Sequence, residues 1–231
     1  MDYYKAFFVG LLDGDGSIQV NHWRYKILQY RIVIKLKNTE NNLNMLQLLQ
    51  LNLNFGHIYI DNKKMFVLFI INNKSQIKKC LNLLNFYKPL TKRINYQIIF
   101  MKHCFINNDL NWYFINRNLK YNVNLDLINY NTFYFKGWLS GFIEALGCFT
   151  ICDRSSKSKS FSIAQKDEKF LFEFIANFFY SNLNVRCNKL NIYSIEIYKK
   201  TILNVLKNHF FEYPLLGEKT INLNCFYNNI K

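Results

Sequence analysis

The chain has 231 residues, with 30 Lys and Arg against 15 Asp and Glu, for a formal net charge of +15. Half of the residues are hydrophobic and 18% are aromatic, which excludes a disordered polar tail, while 8 Gly and 2 Pro exclude a collagen-like or linker-type chain. A basic excess of this size calls for an anionic partner, nucleic acid before an acidic membrane.

No apolar run approaches the roughly 18 residues of a membrane span, and residues 66–71 are the best candidate. A structured pattern begins almost at Met1, leaving no room for a leader, so we expect an intracellular protein without a membrane partner. The 33 Asn, beside many Ile, Lys, Phe and Tyr, read as an AT-rich coding genome, hence an organelle, with the mitochondrion the first expectation. Cys80, Cys104, Cys148, Cys152, Cys187 and Cys225 form no Cys-x-x-Cys pair, so we expect small buried hydrophobes rather than a zinc site.

In chain order, the segment 6–18 reads as carrying a helix that is apolar nearly all round and has Asp13 and Asp15 at its C-terminal end. Alternation predicts strands at 17–21 and 26–37, a helix at 39–51, a hairpin pairing 57–60 with 65–71, and a helix at 75–87. Residues 107–131 carry nine Asn and little periodicity, as a linker would. The pattern then repeats: a helix around 137–146, strands at 148–153 and 160–165, a helix at 168–182, strands at 185–190 and 192–198, and a helix at 200–211. Each half is α-β-β-α-β-β-α, with expected bounds of 1–106 and 133–231 around a linker at 107–132. The aromatic run Phe170, Phe172, Phe174, Phe178, Phe179 and Tyr180 reads as helix core.

The repeat has an offset of 131. Gly10 matches Gly141, Asp13 matches Glu144, Gly14 matches Ala145, Asp15 matches Leu146 and Gly16 matches Gly147. A second match joins Pro89-Leu90-Thr91-Lys92-Arg93-Ile94-Asn95 to Pro214-Leu215 and Lys219-Thr220-Ile221-Asn222. Gly10 and Gly14, like Gly141 and Ala145, lie four apart on one helix face, where small residues let two backbones approach closely. We therefore expect these helices to pack at the centre of a pseudo-twofold pair, with position 15 facing position 146. Asp13 and Asp15 stand at the negative end of their helix, where carboxylates are disfavoured by up to ~1 kcal/mol each. A divalent cation would offset that charge, and hard oxygen ligands suit Mg²⁺.

The segment Gly10-Leu11-Leu12-Asp13-Gly14-Asp15-Gly16-Ser17, with its second copy and the two Pro-Leu segments, resembles the LAGLIDADG homing endonucleases in their single-chain, two-motif form. The resemblance implies an α+β fold of two αββαββα subdomains, whose four-stranded antiparallel sheets form a saddle over double-stranded DNA. It implies a monomer with an internal pseudo-dimer. The last acid of each motif would bind a divalent metal, making Asp15 the metal-binding and catalytic acid, and Lys92 and Lys219 would stand near the cleavage centre. In the second copy that acid is replaced by Leu146, which cannot bind a cation, and the metal position is assigned to Asp15 and Gly147. Glu144 points about 200° away around the helix, at the helix interface. Since metal-assisted cleavage of both strands needs acids from both copies, we expect double-strand cleavage to be lost or reduced, leaving nicking or binding.

Residues 1–110 carry a net charge of +9 and residues 111–231 carry +6, as a saddle gripping two half-sites requires. Two-stranded ribbons fit a major groove, and Gln19, Asn21, Arg24, Lys26, Gln29 and Arg31 are the expected base readers. Arg154, Lys157 and Lys159, in the Ser/Lys loop, suit phosphates. An intron-encoded, site-specific DNA endonuclease is the first reading of this chain. The alternative is a maturase-like or structural protein that binds intron RNA, which has no need of the cleavage acids.

Overall fold

The computed structural model describes residues 2–228 except 62, 152–158 and 181–182. Helix α1 (Tyr3–Asp15) starts at Asp2, whose carboxylate accepts the Lys5 N–H, and eight consecutive residues from Ala6 to Asp13 are buried. The alternating stretch that follows folds as β1 (Gly16–Trp23) and β2 (Ile27–Lys37), antiparallel, with Gly16 opposite Ile34 and Trp23 opposite Ile27. Successive side chains face opposite sides of a sheet. Ile18, Leu28, Tyr30, Ile32 and Ile34 accordingly enter the core, and Gln19, Asn21, Gln29 and Arg31 share the other face. The three-residue loop between the strands places Arg24 and Tyr25 at φ of 48° and 56°, the left-handed pair of a tight turn closed by the Lys26 N–H on the Trp23 carbonyl.

Helix α2 (Glu40–Leu53), capped by Thr39, leads to β3 (His57–Ile60), β4 (Phe66–Ile71) and α3 (Lys74–Phe86), giving a sheet of order β1-β2-β4-β3. Helices α4 (Lys92–Asn107) and α5 (Leu110–Asn116) connect to the second half, which opens with α6 (Phe135–Leu146). There β5 (Cys148–Ile151), β6 (Lys159–Lys166), α7 (Lys169–Phe179), β7 (Val185–Cys187), β8 (Ile192–Ile197) and α8 (Lys200–Glu212) repeat the plan, with sheet order β5-β6-β8-β7. Helix α9 (Lys219–Asn228) follows. The fold is α+β, with two pseudo-symmetric halves. Among the described residues, no helix is long and apolar enough to cross a membrane.

The halves meet along α1 and α6. A Cβ on Gly10 would lie 1.9 Å from the Trp138 carbonyl oxygen, and one on Gly141 would lie 1.9 Å from that of Phe7. At the far end, a Cβ on Gly14 would stand 2.3 Å from that of Ala145. The two backbones are thus in direct contact, and buried Phe7, Phe8, Trp138 and Phe142 fill the flanks. Tyr134 of the second half donates its hydroxyl to the Lys88 carbonyl of the first over 2.8 Å, and Tyr3 of the first donates to the Pro214 carbonyl of the second.

The fold departs from the sequence expectations in four places. Each half carries one more helix than αββαββα, because the Pro-Leu segments begin α4 and α9; Thr91 accepts the Ile94 N–H, and Ile94, Ile98 and Met101 bury one face. The Asn-rich connection contains α5, capped by Asp109, whose Tyr113 is buried and donates to the Val20 carbonyl over 3.3 Å. The aromatic run of α7 divides: Phe172 and Phe179 are core, whereas Phe170 is 59% and Tyr180 44% exposed. Only Cys80 and Cys104 are buried, Cys148, Cys187 and Cys225 are exposed, and Cys152 lies outside the described residues.

Candidate active site

Both acids of the first motif stand at the C-terminal end of α1, in opposite circumstances. Asp13 is fully buried and uses both oxygens: Oδ1 accepts from the Thr91 hydroxyl at 2.5 Å and the Thr91 N–H at 3.3 Å, and Oδ2 from the Leu90 N–H and the Trp138 indole, each at 2.7 Å. Burial pushes its pKa up to about 6, against the opposing pull of these donors. Asp15 reaches solvent, and among the described residues no protein donor is hydrogen-bonded to its carboxylate. Partial burial raises its pKa, while the Lys219 ammonium and then the Arg93 guanidinium pull it back.

Arg93 is a residue the sequence reading missed. Its guanidinium donates to the carbonyls of Gly16 at 2.6 Å, Asp13 at 2.7 Å and Gly14 at 3.1 Å, closing the negative end of α1. A protein cation therefore already offsets part of the charge that the sequence assigned to a metal. Thr220, at the matching position of the second half, has a buried hydroxyl without a hydrogen-bond partner. The adjacency of Arg93 to Lys92 was the only signal that could have pointed to it.

The second motif differs at its tip. Glu144 is buried and accepts the N–H groups of Gly217 at 3.0 Å, Lys219 at 3.0 Å and Leu216 at 3.1 Å, so its carboxylate holds a turn and is not turned toward position 146. Burial raises its pKa, and these three donors oppose the shift. Leu146 is half-buried, with its Cγ 3.4 Å from where a Cβ on Gly14 would stand. Gly147 is buried as the C-cap of α6 and can offer a cation only its backbone carbonyl. Among the described residues no group of three His, Cys, Asp or Glu could enclose a metal. Asp15 therefore suits a cation that takes its remaining ligands from phosphate and water, the usual mode for Mg²⁺.

The two lysines are not equivalent. Lys219 acts electrostatically on Asp15. Lys92 instead lies beside Glu168, whose Oε1 accepts its N–H at 2.6 Å, and its ammonium stands 5.9 Å from the Phe170 ring centre.

On the sheet face away from the core of the first half, half-buried Gln19 pairs across the strands with half-buried Arg31, and exposed Asn21 with exposed Gln29; Lys35 and Lys37 continue the row. Arg24 and Lys26 stand at the hairpin turn, with the Arg24 guanidinium 5.2 Å from the Trp23 ring centre. The second sheet presents Cys148, Thr150, Ser160 and Ser162, with Arg186 paired to Glu196 at 3.1 Å. Lys159 donates to the Phe226 carbonyl and so is turned toward α9. Arg154 and Lys157 lie outside the described residues.

A family model described as LAGLIDADG endonuclease matches residues 8–104 and 139–230. The chain is 43% identical to the "Probable intron-encoded endonuclease aI3" of Dictyostelium citrinum, over 97% of this chain and 94% of that protein. It is 41% identical to the protein of the same name from Debaryomyces hansenii, over 97% of this chain but only 38% of that longer protein. Among solved structures it is similar to the LAGLIDADG meganuclease I-AabMI bound to uncleaved DNA, with a TM-score of 0.76 and 23% identity over 97% of this chain and 89% of that one.

Proposed function

The chain belongs to the LAGLIDADG endonuclease family, and on that footing we propose that it is an intron-encoded homing endonuclease whose single complete half-centre cuts one DNA strand. The observation that carries this reading is the contrast between Asp15, exposed and unoccupied by protein donors, and Leu146 at the matching position. The target is double-stranded DNA at the intron insertion site, gripped by the Gln19, Asn21, Gln29 and Arg31 face and by Arg24 and Lys26 at the turn. The protein works as a monomer in the organelle, most naturally the mitochondrion, that encodes it.

Asp15 would hold the cation, with phosphate oxygens and water completing its shell. A bound divalent ion, Mg²⁺ in the first place, supplies a nucleophilic water and charge stabilisation at the leaving oxygen. The protein's own contribution is positional. Arg93 fixes the end of α1, so that Asp15 projects at a set height below the helix pair. Lys219 adds positive charge beside it, suited to the phosphate being cut and to the alkoxide that leaves. Among the described residues, Glu144, the acid of the second motif, does not repeat this arrangement beside Leu146, since it is committed to three N–H groups.

The test is incubation in Mg²⁺ with a supercoiled plasmid carrying the intron-free form of the host gene. Open circles, abolished by Asp15→Asn, are expected; linear product overturns the single-strand reading. Leu146 also favours a second reading, an intron-RNA-binding maturase. In that case Asp15→Asn leaves splicing of the intron untouched and the plasmid stays supercoiled.

A further inference from the structure

Resting on the reading of Asp15 and Lys219 as the surviving half-centre, we propose that Asn42, on the opposite half of the molecule from Lys219, is a positioning residue that sets this lysine against Asp15.

Lys219 begins α9 at the end of a tight turn. Glu144 of its own half takes the N–H groups of Leu216, Gly217 and Lys219, but the Glu218 N–H is held from the first half, by Asn42 Oδ1 at 3.0 Å. Asn42 is 7% exposed, and its amide is fixed at the other end too, where Nδ2 donates to the Lys37 carbonyl at the end of β2 over 3.0 Å. Neighbouring Asn41 donates to the Glu218 carboxylate at 3.4 Å. The turn is pressed against α2: a Cβ on Gly217 would stand 2.8 Å from Asn42 Oδ1, 2.8 Å from Glu144 Oε1 and 2.9 Å from Met45 Sδ. Lys219 is thus tied, through one buried amide, to the strand pair that continues from Asp15.

The molecule contains its own control. On the other side of the pseudo-twofold, Glu168 at the start of α7 is 2% exposed and holds the Lys92 N–H across the same boundary. Both clasps are buried and cross between the halves, but Asn42 leads to Lys219, whose charge acts on Asp15, whereas Glu168 leads to Lys92, and the Arg93 side chain beside it keeps its own three carbonyl bonds to the end of α1. If both only hold the halves together, removing either should affect cleavage alike. If Asn42 positions Lys219, the losses should be unequal.

The experiment uses the full chain, the supercoiled plasmid in Mg²⁺, and hydrogen exchange of backbone amides read by mass spectrometry. Asn42→Ala is expected to speed exchange at 216–219 and to lower kcat about tenfold or more with KM within about twofold, a displacement effect. Glu168→Ala should speed exchange at 90–93 and cost less than about threefold in kcat. Asn42→Ser serves if the alanine variant does not fold. Equal losses from the two clasps, or unchanged exchange at 216–219, overturns the proposal. A wild-type protein that leaves the plasmid intact overturns the nuclease reading first. Exchange that still responds to Asn42→Ala would then confine Asn42 to holding the turn, and the positioning role falls with the reading.

Discussion

The indole N–H of Trp138 on α6 donates to Asp13 Oδ2 on α1 over 2.7 Å, so the buried acid of the first motif is held from the opposite half of the molecule. Asp13 gathers the Leu90 and Thr91 backbone through its remaining acceptor positions, and this one carboxylate joins α1, α6 and the start of α4. Trp138→Phe keeps most of the ring volume and removes only the donor. We expect a loss of about 1–3 kcal/mol, the usual cost of leaving a buried acceptor short of a partner, seen as a lower Tm with an unchanged far-UV spectrum.

Close approach of the two central helices gives a sharper expectation. Gly141→Ala places a Cβ 1.9 Å from the Phe7 carbonyl oxygen, and the neighbouring atom is backbone that cannot rotate away. The variant should lose about 3 kcal/mol or more, from overpacking that only separation of α1 and α6 relieves. Denaturant unfolding would measure it, with Ala145→Gly as the milder change at the same interface.

Glu168 gives a pH dependence. Burial, aided by the Asp13 charge, pushes its carboxyl up to about 8, against the Lys92 N–H, the Lys92 ammonium and the Arg93 N–H, and Tyr130 stands near enough to be affected by its charge. Its folded pKa lies above the unfolded value of 4.5, so the folded state holds a proton that the unfolded state releases. Stability from this group is complete below about 4.5 and is lost as pH rises through about 8. Thermal melts at pH 5 and pH 9 should therefore show Glu168→Gln gaining Tm relative to wild type as pH rises. A constant difference would mean that Glu168 is already ionised in the native protein.

The outward row of the first sheet separates two kinds of contact. Arg31 faces Gln19 across the strands, whereas Lys35 stands farther along β2 with its ammonium 3.8 Å from the Phe66 ring centre. Arg31→Ala should cost about 1–3 kcal/mol on the preferred duplex and relax preference at one base pair. Lys35→Gln should weaken all sequences alike and reduce the salt slope by about 1. Binding titrations across salt concentrations, on a panel of single-base variants, distinguish the two.

Much of this architecture could be read from local pattern. The period-two runs place Ile32, Ile34 and Tyr30 inside and Gln29 and Arg31 outside, and the four-residue spacing of Gly10 with Gly14 locates the helix contact. Asp15 and Leu146 stand out because the repeat aligns them. The clasps were invisible for a physical reason: Asn42 meets Glu218 across 176 residues and Glu168 meets Lys92 across 76, so no local period marks them. In a chain with 33 Asn, one more carries no compositional signal. Helix α5 escaped notice because seven residues are too few to establish a 3.6-residue period, and Tyr113 finds its core against β1, far away in the chain, and against Phe100 of α4, in another element. Lys159 looked like a phosphate ligand from its loop, but its ammonium is taken up by the Phe226 carbonyl.

The most direct measurement is strand-resolved cleavage of a target duplex carrying a different 5′ label on each strand, in Mg²⁺, for wild type and for Leu146→Glu. One complete half-centre predicts that wild type shortens only one label and that Leu146→Glu, by restoring an acid opposite Asp15, begins to shorten the other. Equal cutting of both strands by the wild-type protein would contradict the account.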